Sequence, residues 1–204
     1  MNAATPAPRR EESAEQRWNR FSVLKTGDDY LASLRNRGTR LFLFGELIDE
    51  PADHPIIKPS INALRASYDL AIDDPELATA WSPLIDAQVN RFLHIVESPG
   101  DLVMKNKMQR RMGQITGTCF QRCTGLDTIS VLHSVTYEID EKHGTNYHQR
   151  YLDFLKEAQR KNILIAAGMT DPKGDRSTRH SEQADPDLFM RVTRRPAKGN
   201  YVKG

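Results

Sequence analysis

The strongest constraint on the fold is a helical period in the apolar residues, which dominates the chain from about residue 30 to residue 166. In its clearest segment Met104, Met108, Met112 and Ile115 follow one another at steps of four, four and three. This spacing places apolar side chains on one face of a helix, where they can pack against a neighbouring element. The sequence therefore predicts a mainly helical fold over this range.

Other segments repeat the pattern, and one breaks it. Helical spacing is also seen in three sets of residues: Ile57, Ile61, Leu64 and Tyr68; Ile85, Val89, Phe92 and Val96; and Tyr147, Tyr151, Phe154, Leu155 and Ala158. The stretch "GDDYLASLRNRG" begins with capping aspartates and ends at a glycine, so it predicts a further helix. By contrast, "RLFLFGELI" is short and apolar and predicts a single strand.

The composition changes after Gly168. Residues 169–187 are polar and rich in turn formers, which is typical of a long ordered loop. Residues 188–204, "LFMRVTRRPAKGNYVKG", predict a strand, a turn between Pro196 and Gly199, and a second strand. The predicted fold class is thus mainly α, with a β region beginning at the end of the sequence.

The totals exclude several function classes. The 204 residues carry 29 Lys and Arg against 27 Asp and Glu, a balance that does not favour a nucleic-acid or membrane-surface partner. There is no run of 18 apolar residues that would predict a membrane span. Residues 1–20 are polar and lack the apolar segment of a secretory signal, so they predict a flexible leader on a cytoplasmic protein.

The two cysteines of the chain lie four residues apart, in the stretch "GTCFQRCTG". If the preceding helix continues, Cys119 and Cys123 share one face of it, an arrangement that suits a shared metal ion or cluster. Thiolates select zinc or iron–sulfur centres over magnesium or calcium. Two alternatives stay open: small buried residues filling a helix interface, and a zinc site completed by histidines, none of which has zinc-finger spacing to the pair.

A second candidate site is the loop "TDPKGDRS", residues 170–177. It sets Lys173 and Arg176 around Gly174, where the backbone could approach a ligand closely. Such a loop would bind a phosphate or an electron-rich ring edge, with the arginine as a forked donor. The alternative is a solvated charged loop. Arg110 and Arg111 lie one to two helical turns before the cysteines.

Five blocks together resemble one family. In order they are "DDYLASLRNRGTRLFLFGE", "HPIIKPSINALRASYDLA", "KMQRRMGQITGTCFQRCTGLD", "YEIDEKHGTNYH" and "MTDPKGDRSTRHSEQADPDLFMRV". They are similar to the N-terminal part of the 4-hydroxyphenylacetate 3-hydroxylase family. Within it, the Cys-x-x-x-Cys motif resembles that of the 4-hydroxybutyryl-CoA dehydratase branch.

The resemblance implies cofactors and site residues. Cys119 and Cys123 correspond to two of four protein ligands of a 4Fe–4S cluster, whose other ligands, a histidine and a cysteine, come from a later region. Arg110 and Gln121 correspond to residues at the dehydratase active site. The positions expected to contact FAD are Lys173, Gly174, Asp175 and Arg176. Arg122 corresponds to an arginine that the flavin-dependent hydroxylases place near the phenol.

It also implies a fold and a reaction. The expected fold is that of acyl-CoA dehydrogenases, with a helical N-terminal domain over residues 21–169 and the start of a middle β domain over 170–204. The expected reaction dehydrates 4-hydroxybutyryl-CoA to crotonyl-CoA, with vinylacetyl-CoA isomerisation as a side activity, in a homotetramer. On length, the chain is expected to be a truncated and inactive portion. The alternatives are an FAD-dependent aromatic 3-monooxygenase and a non-catalytic helical remnant.

Overall fold

The computed structural model describes most of the chain, in two units. It covers residues 19, 22–35, 37, 40–117, 119–120, 122–166, 174–196 and 199–203, with the backbone alone for 123–125. The chain divides into two compact units at the junction of residues 166 and 167. The first unit is mainly helical, and the second carries a short hairpin.

The first unit is built from helices joined by two small hairpins. Its described elements are α1 (Gly27–Leu34), β1 (Leu41–Leu43), β2 (Glu46–Ile48), α2 (Lys58–Asp73), α3 (Pro75–Ala78), β3 (Thr79–Ser82), β4 (Ala87–Asn90), a 3-10 turn (Arg91–Leu93), α4 (Pro99–Thr116), α5 (Cys123–His143) and α6 (Tyr147–Lys161). α1 packs on α2, α2 and α3 pack on α4, and α5 packs on α6 and on the 3-10 turn. The prediction of a mainly helical fold is confirmed.

Helix α4 shows why its segment was predictable. Ser98 caps its start: the Ser98 Oγ accepts from the Asp101 N–H at 3.2 Å, and the Asp101 carboxylate accepts from the Ser98 N–H at 2.9 Å. Pro99 occupies the first helical position, where its missing N–H costs nothing. The helix ends at Gly117, whose φ of 61° is the left-handed conformation that glycine adopts without strain.

Residues 40–48 form a hairpin, so the prediction of a single strand is wrong. β1 and β2 pair antiparallel with Leu43 opposite Glu46. The two residues between them, Phe44 and Gly45, have φ values of 52° and 87°. Positive φ at both central residues matches the twist of the flanking strands and reverses the chain in two residues.

The helix predicted from Ile85 to Val96 is also wrong. β3 and β4 pair antiparallel there, with Ser82 opposite Ala87, and the 3-10 turn follows. Pro83 opens the connecting turn, and Asp86 has a φ of 54°. A left-handed residue cannot continue a right-handed helix, so the apolar residues of this stretch reach the core from a hairpin instead.

The packing that positions the cysteine region lies between α2, α4 and the 3-10 turn. It contains Phe92, Met108, Met112, Phe120 and Leu126, all buried. This group is called the first core below. Two further buried groups join α1 to α2 and α5 to α6. Because the first core includes Phe120, the segment between α4 and α5 is anchored to the body of the unit.

Lys105 is a buried cation on α4. Its Nζ donates to the carbonyl oxygens of His94 at 2.9 Å and Leu126 at 3.3 Å. Burial lowers the pKa of Lys105 to about 8, and the nearby carboxylates of Asp127 and Asp101 oppose that shift. The lysine therefore bridges the residues around the 3-10 turn to the first turn of α5.

The stability of the unit is expected to rise with pH above about 8. The free lysine pKa of 10.5 lies above the folded value, so the unfolded chain binds more protons between them, and the free energy of unfolding increases there. Lys105→Met should flatten this slope, which is at most about 1.4 kcal/mol per pH unit. The measurement is urea unfolding at several pH values from about 8 to 9.5, because the tyrosines of the unfolded chain lose protons around their ordinary pKa of 10.0, whereas burial raises the pKa of Tyr30 to about 12.

The matched control is Lys107→Met, on the same helix and exposed. It should keep the wild-type slope. Since Lys105→Met leaves two carbonyls without their donor, absolute stability is not the readout; equal slopes in the wild type and in Lys105→Met would contradict the assignment.

The second unit contains a 3-10 turn (His180–Glu182) and the strands β5 (Arg191–Arg194) and β6 (Tyr201–Lys203). The strands pair antiparallel, with Val192 opposite Val202, and confirm the predicted hairpin. In the part of the chain that the structure describes, no helix combines the length and apolar character needed to cross a membrane.

Candidate functional site

The two cysteines do not share a helix face, because α4 ends before them. Gly117 terminates α4, Cys119 lies in the connecting segment, and Cys123 is the first residue of α5. The left-handed Gly117 breaks the helical path, which corrects the i, i+4 arrangement predicted from sequence. Residues 117–123 are called the cysteine link below. The thiol of Cys119 is exposed and free.

Two buried side chains of the cysteine link, those of Phe120 and Arg122, hold it against the body of the unit. Phe120 is buried in the first core, with its ring centroid 5.6 Å from that of Phe92. Arg122 is 1% exposed. Cys119, beside Phe120, faces solvent. Gln121, predicted from the resemblance as an active-site residue, lies outside the described residues.

Arg122 is the most completely buried charged residue of this region. Its NH1 donates to Ser67 Oγ at 3.0 Å, and its NH2 donates to Asn162 Oδ1 at 3.3 Å and to the Ile163 carbonyl at 3.4 Å. The guanidinium lies over the rings of Tyr68, at 4.5 Å, and Phe92, at 5.0 Å.

This environment sets the role of Arg122. Burial lowers its pKa from the ordinary arginine value, while the hydroxyls of Tyr68 and Tyr30 act in the opposite sense. The resemblance would place this arginine beside a phenolic substrate. In the structure its guanidinium is enclosed by the helical core and bonded to protein groups, so it is not presented to a ligand.

Arg110, in contrast to the buried Arg122, lies at the surface. It lies on α4 and is exposed, as is Arg111. The neighbouring buried residues of that helix, Met108 and Met112, face the first core. No described residue forms a hydrogen bond or ion pair with the guanidinium of Arg110, so it is free to contact a ligand from the surface of α4.

The predicted flavin loop is ordered by one glutamine. Gln183 Oε1 accepts from the Asp175 N–H at 2.9 Å, and its Nε2 donates to the Asp175 carbonyl and to Thr178 Oγ1, each at 2.7 Å. A Cβ built on Gly174 would lie 2.2 Å from Gln183 Oε1 and 2.4 Å from Leu188 Cδ2. The glycine is therefore required by packing within its own unit: the close neighbour is Gln183, where the sequence predicts a ligand.

The charged members of that loop differ in availability. The Asp175 carboxylate accepts from the Ser177 N–H at 2.8 Å and from its hydroxyl at 2.6 Å, and these bonds lower the pKa of Asp175. Arg176 is exposed and pairs with none of the described residues. Lys173 lies outside the described residues. Arg176 is thus the described cation of this loop that can reach an external anion.

A cavity that sequence reasoning missed lies beside the 3-10 turn. It has a volume of about 290 Å³ and is lined by Ser82, Pro83, Leu84, His94, Ile95, Glu97, His133 and Leu152. His94 is buried, its Nε2 stands 3.4 Å from Asp101 Oδ1, and burial lowers its pKa. The signal in the sequence is weak, because these residues come from four separate segments.

With this geometry in place, the sequence model of the 4-hydroxyphenylacetate 3-hydroxylase N-terminal family matches residues 26–204. The chain belongs to this family. The match includes the cysteine link and the predicted flavin loop, and it confirms the family predicted from the five sequence blocks.

Members of the 4-hydroxyphenylacetate 3-hydroxylase family resemble the chain to different degrees. The 4-hydroxybutyryl-CoA dehydratase/vinylacetyl-CoA-Δ-isomerase of Clostridium aminobutyricum is 46% identical over 184 residues, which are 89% of this chain and 38% of that protein. The oxygenase component of the 4-hydroxyphenylacetate 3-monooxygenase of Thermus thermophilus is 20% identical over 184 residues, 89% of this chain and 37% of that protein.

Among solved structures too, a dehydratase resembles the chain more than a monooxygenase component does. An oxygen-tolerant archaeal 4-hydroxybutyryl-CoA dehydratase from N. maritimus superposes with a TM-score of 0.84 at 58% identity, covering 89% of this chain and 36% of that one. The monooxygenase oxygenase component in complex with FAD and 4-hydroxyphenylacetate gives 0.68 at 21% identity, covering 89% and 37%, and shares the fold. The chain spans less than two fifths of the length of these relatives.

The cysteine link offers the type of ligand that an iron–sulfur cluster takes, and it offers part of a ligand set. Thiolates are the ligands such clusters take, and Cys119 offers one at the surface. Among the residues whose side chains are described, no three or more of His, Cys, Asp and Glu are grouped to hold a metal ion. The zinc site considered from sequence accordingly lacks a complete ligand set in that part of the chain.

Proposed function

We propose that the chain is the N-terminal portion of a flavin- and iron–sulfur-dependent lyase that dehydrates 4-hydroxybutyryl-CoA to crotonyl-CoA and isomerises vinylacetyl-CoA. The observation that carries the proposal is the contrast in identity over the same length of chain: 46% to the dehydratase/isomerase against 20% to the monooxygenase component. Because the chain spans less than two fifths of these relatives, the activity is proposed for the whole protein.

In this proposal the cysteine link supplies two of the four cluster ligands, Cys119 and Cys123. The cluster would supply a Lewis-acidic iron for the departing hydroxyl, and the flavin the transient redox step that acidifies the β C–H. The exposed thiol of Cys119 can reach a group bound outside the helical unit. The guanidinium of Arg110, which pairs with no residue that the structure describes, would hold a carbonyl or phosphate oxygen of the acyl-CoA, and Gln121 would lie between the two ligands.

Of the four residues predicted to contact FAD, two would supply positive charge and two would shape the loop. Arg176 would pair with an FAD phosphate or ring oxygen, because its guanidinium is exposed and free of partners in the described structure. Gly174 and Asp175 would hold the loop in shape, the first by admitting Gln183 and the second by its bonds to Ser177. Lys173 would add a second positive charge beside them.

The domain assignment is part of the same proposal. Residues 1–20 would be a leader, 21–169 an N-terminal helical domain of acyl-CoA dehydrogenase type, and 170–204 the start of a middle β domain. The TM-score of 0.84 to the archaeal dehydratase supports the helical part. The homotetramer and the cytoplasmic location belong to the proposal as well.

The experiment is made on the intact protein, purified without oxygen. Iron, acid-labile sulfide and flavin are determined per polypeptide, and conversion of 4-hydroxybutyryl-CoA to crotonyl-CoA is assayed. The proposal expects iron and sulfide in cluster amounts together with flavin and turnover. Flavin without iron, with oxygen-dependent hydroxylation of 4-hydroxyphenylacetate by added reduced FAD, would instead establish the monooxygenase.

A further inference from the structure

We propose that Arg122 is a positioning residue, which fixes the cysteine link against the helical core and thereby determines where Cys119 and the start of α5 stand. The inference rests on the proposed function, in which the link carries cluster ligands. In this proposal the guanidinium, 1% exposed, acts through the backbone of the link and not by contact with a substrate or cofactor.

The side chain of Arg122 joins segments that are far apart in the sequence. Arg122 is the last residue before α5, and its donors bond Ser67 on α2 together with Asn162 and Ile163 after α6. These partners are 55, 40 and 41 residues away in sequence. One side chain therefore fastens the cysteine link to two separate parts of the unit.

The guanidinium of Arg122 is a buried cation. No Asp or Glu in the described part of the chain forms an ion pair with Arg122, and its three acceptors are neutral. A buried cation without an acid is costly, and a hydrophobic side chain of similar volume is often at least as stable there. The rings of Tyr68 and Phe92 offset part of that cost. What only the arginine supplies is a rigid, directional fork.

Phe120 and Arg122, the residues of the link that the structure describes as buried, make different kinds of contact. Phe120 contributes apolar contact in the first core, and such contact has little directional preference. Hydrogen bonds from two guanidinium nitrogens at 3.0–3.4 Å restrict both position and rotation. Arg122 is thus the residue that sets the register between the end of α4 and the start of α5.

The test uses the full 204-residue chain with Arg122→Met and Arg122→Lys. Amide hydrogen exchange over residues 117–123 is followed by mass spectrometry, and Cd²⁺ serves as a thiolate-seeking probe of the two cysteines. In Arg122→Met, exchange in the link should be at least about tenfold faster and Cd²⁺ affinity about tenfold lower, with helical circular dichroism retained. Arg122→Lys keeps the charge but lacks the forked guanidinium donors, so its exchange rate in the link and its Cd²⁺ affinity should stay close to those of Arg122→Met.

The matched control is Arg91→Met. Arg91 is also a buried arginine, and it donates to the carbonyl oxygens of Glu76, Leu77 and Thr79 around the end of α3. Its substitution should speed exchange near α3 and leave residues 117–123 and Cd²⁺ affinity at wild-type values. A general loss of stability would change both regions in both variants.

The outcomes test the positioning role of Arg122 and the ligand role of the cysteines separately. Wild-type exchange in the link and unchanged Cd²⁺ affinity in Arg122→Met would overturn the positioning role. If that variant does not fold, Ser67→Ala removes one acceptor of the fork with Arg122 in place, and failure to speed exchange in the link would overturn the role equally. Absence of Cd²⁺–thiolate absorption in the wild type would count against the ligand role of the cysteines, while the exchange measurement would still judge Arg122.

Discussion

The Cys119→Ser substitution is expected to remove the iron–sulfur absorbance of the intact protein and to lower dehydration of 4-hydroxybutyryl-CoA by more than about 100-fold. In metal sites, residues that merely orient a ligand already cost 10–100-fold when replaced, so loss of a ligand should cost more. Cys119 is exposed and outside the buried cores, so in the 204-residue chain without a cluster the exchange of sulfur for oxygen should change the free energy of unfolding by less than about 0.5 kcal/mol. Iron analysis, turnover and urea unfolding measure the three effects.

Gln114→Ser is the matched control for that variant. Gln114 is exposed in the last turn of α4, a few residues before the cysteine link, and its substitution should change neither iron content nor turnover. Full iron content in Cys119→Ser would contradict the ligand role. Unfolding of the cluster-free 204-residue Cys119→Ser chain at a much lower urea concentration than the wild-type chain would mean that the cysteine stabilises the fold instead.

The prediction of α4 succeeded because its determinants are local. The capping pair Ser98 and Asp101 is visible in the sequence, and Met108 and Met112 recur at helical spacing. The same kind of spacing misled at Val89 and Phe92, which reach the core from a hairpin and a 3-10 turn. Residues four apart can be buried by either route, so the spacing alone does not distinguish them; the turn opened by Pro83 and the left-handed Asp86 does.

The candidate site was less predictable because its geometry depends on distant residues. Arg122 lies between the two cysteines, a position that the sequence alone would assign to the surface or to a ligand contact. In the structure Ser67, Tyr68 and Asn162, from two other segments, enclose it. Gly174 is a similar case, since its close neighbour is Gln183 of the same loop. Side-chain partners separated by tens of residues follow from tertiary packing, which periodicity does not encode.

The Phe92→Ala substitution is expected to destabilise the chain by about 3–5 kcal/mol, the usual cost of emptying a buried phenylalanine site. Phe92 is 2% exposed, and its ring contacts Phe120 and lies beneath the guanidinium of Arg122. The alanine would leave a cavity and withdraw one of the two rings that compensate a buried cation. Urea unfolding of the 204-residue chain measures the change in the free energy of unfolding.

Phe44→Ala provides the matched control, because Phe44 is 89% exposed and its left-handed backbone conformation is equally strained for phenylalanine and alanine. It should change stability by less than about 0.5 kcal/mol. Phe92→Leu should fall between the two, since it refills part of the cavity without restoring the aromatic face. A Phe92→Ala cost near that of Phe44→Ala would mean that the first core does not support the cysteine link. If Phe92→Ala strongly lowers the free energy of unfolding and Phe92→Leu restores little of it, most of the loss comes from the contact between the Phe92 ring and the Arg122 guanidinium.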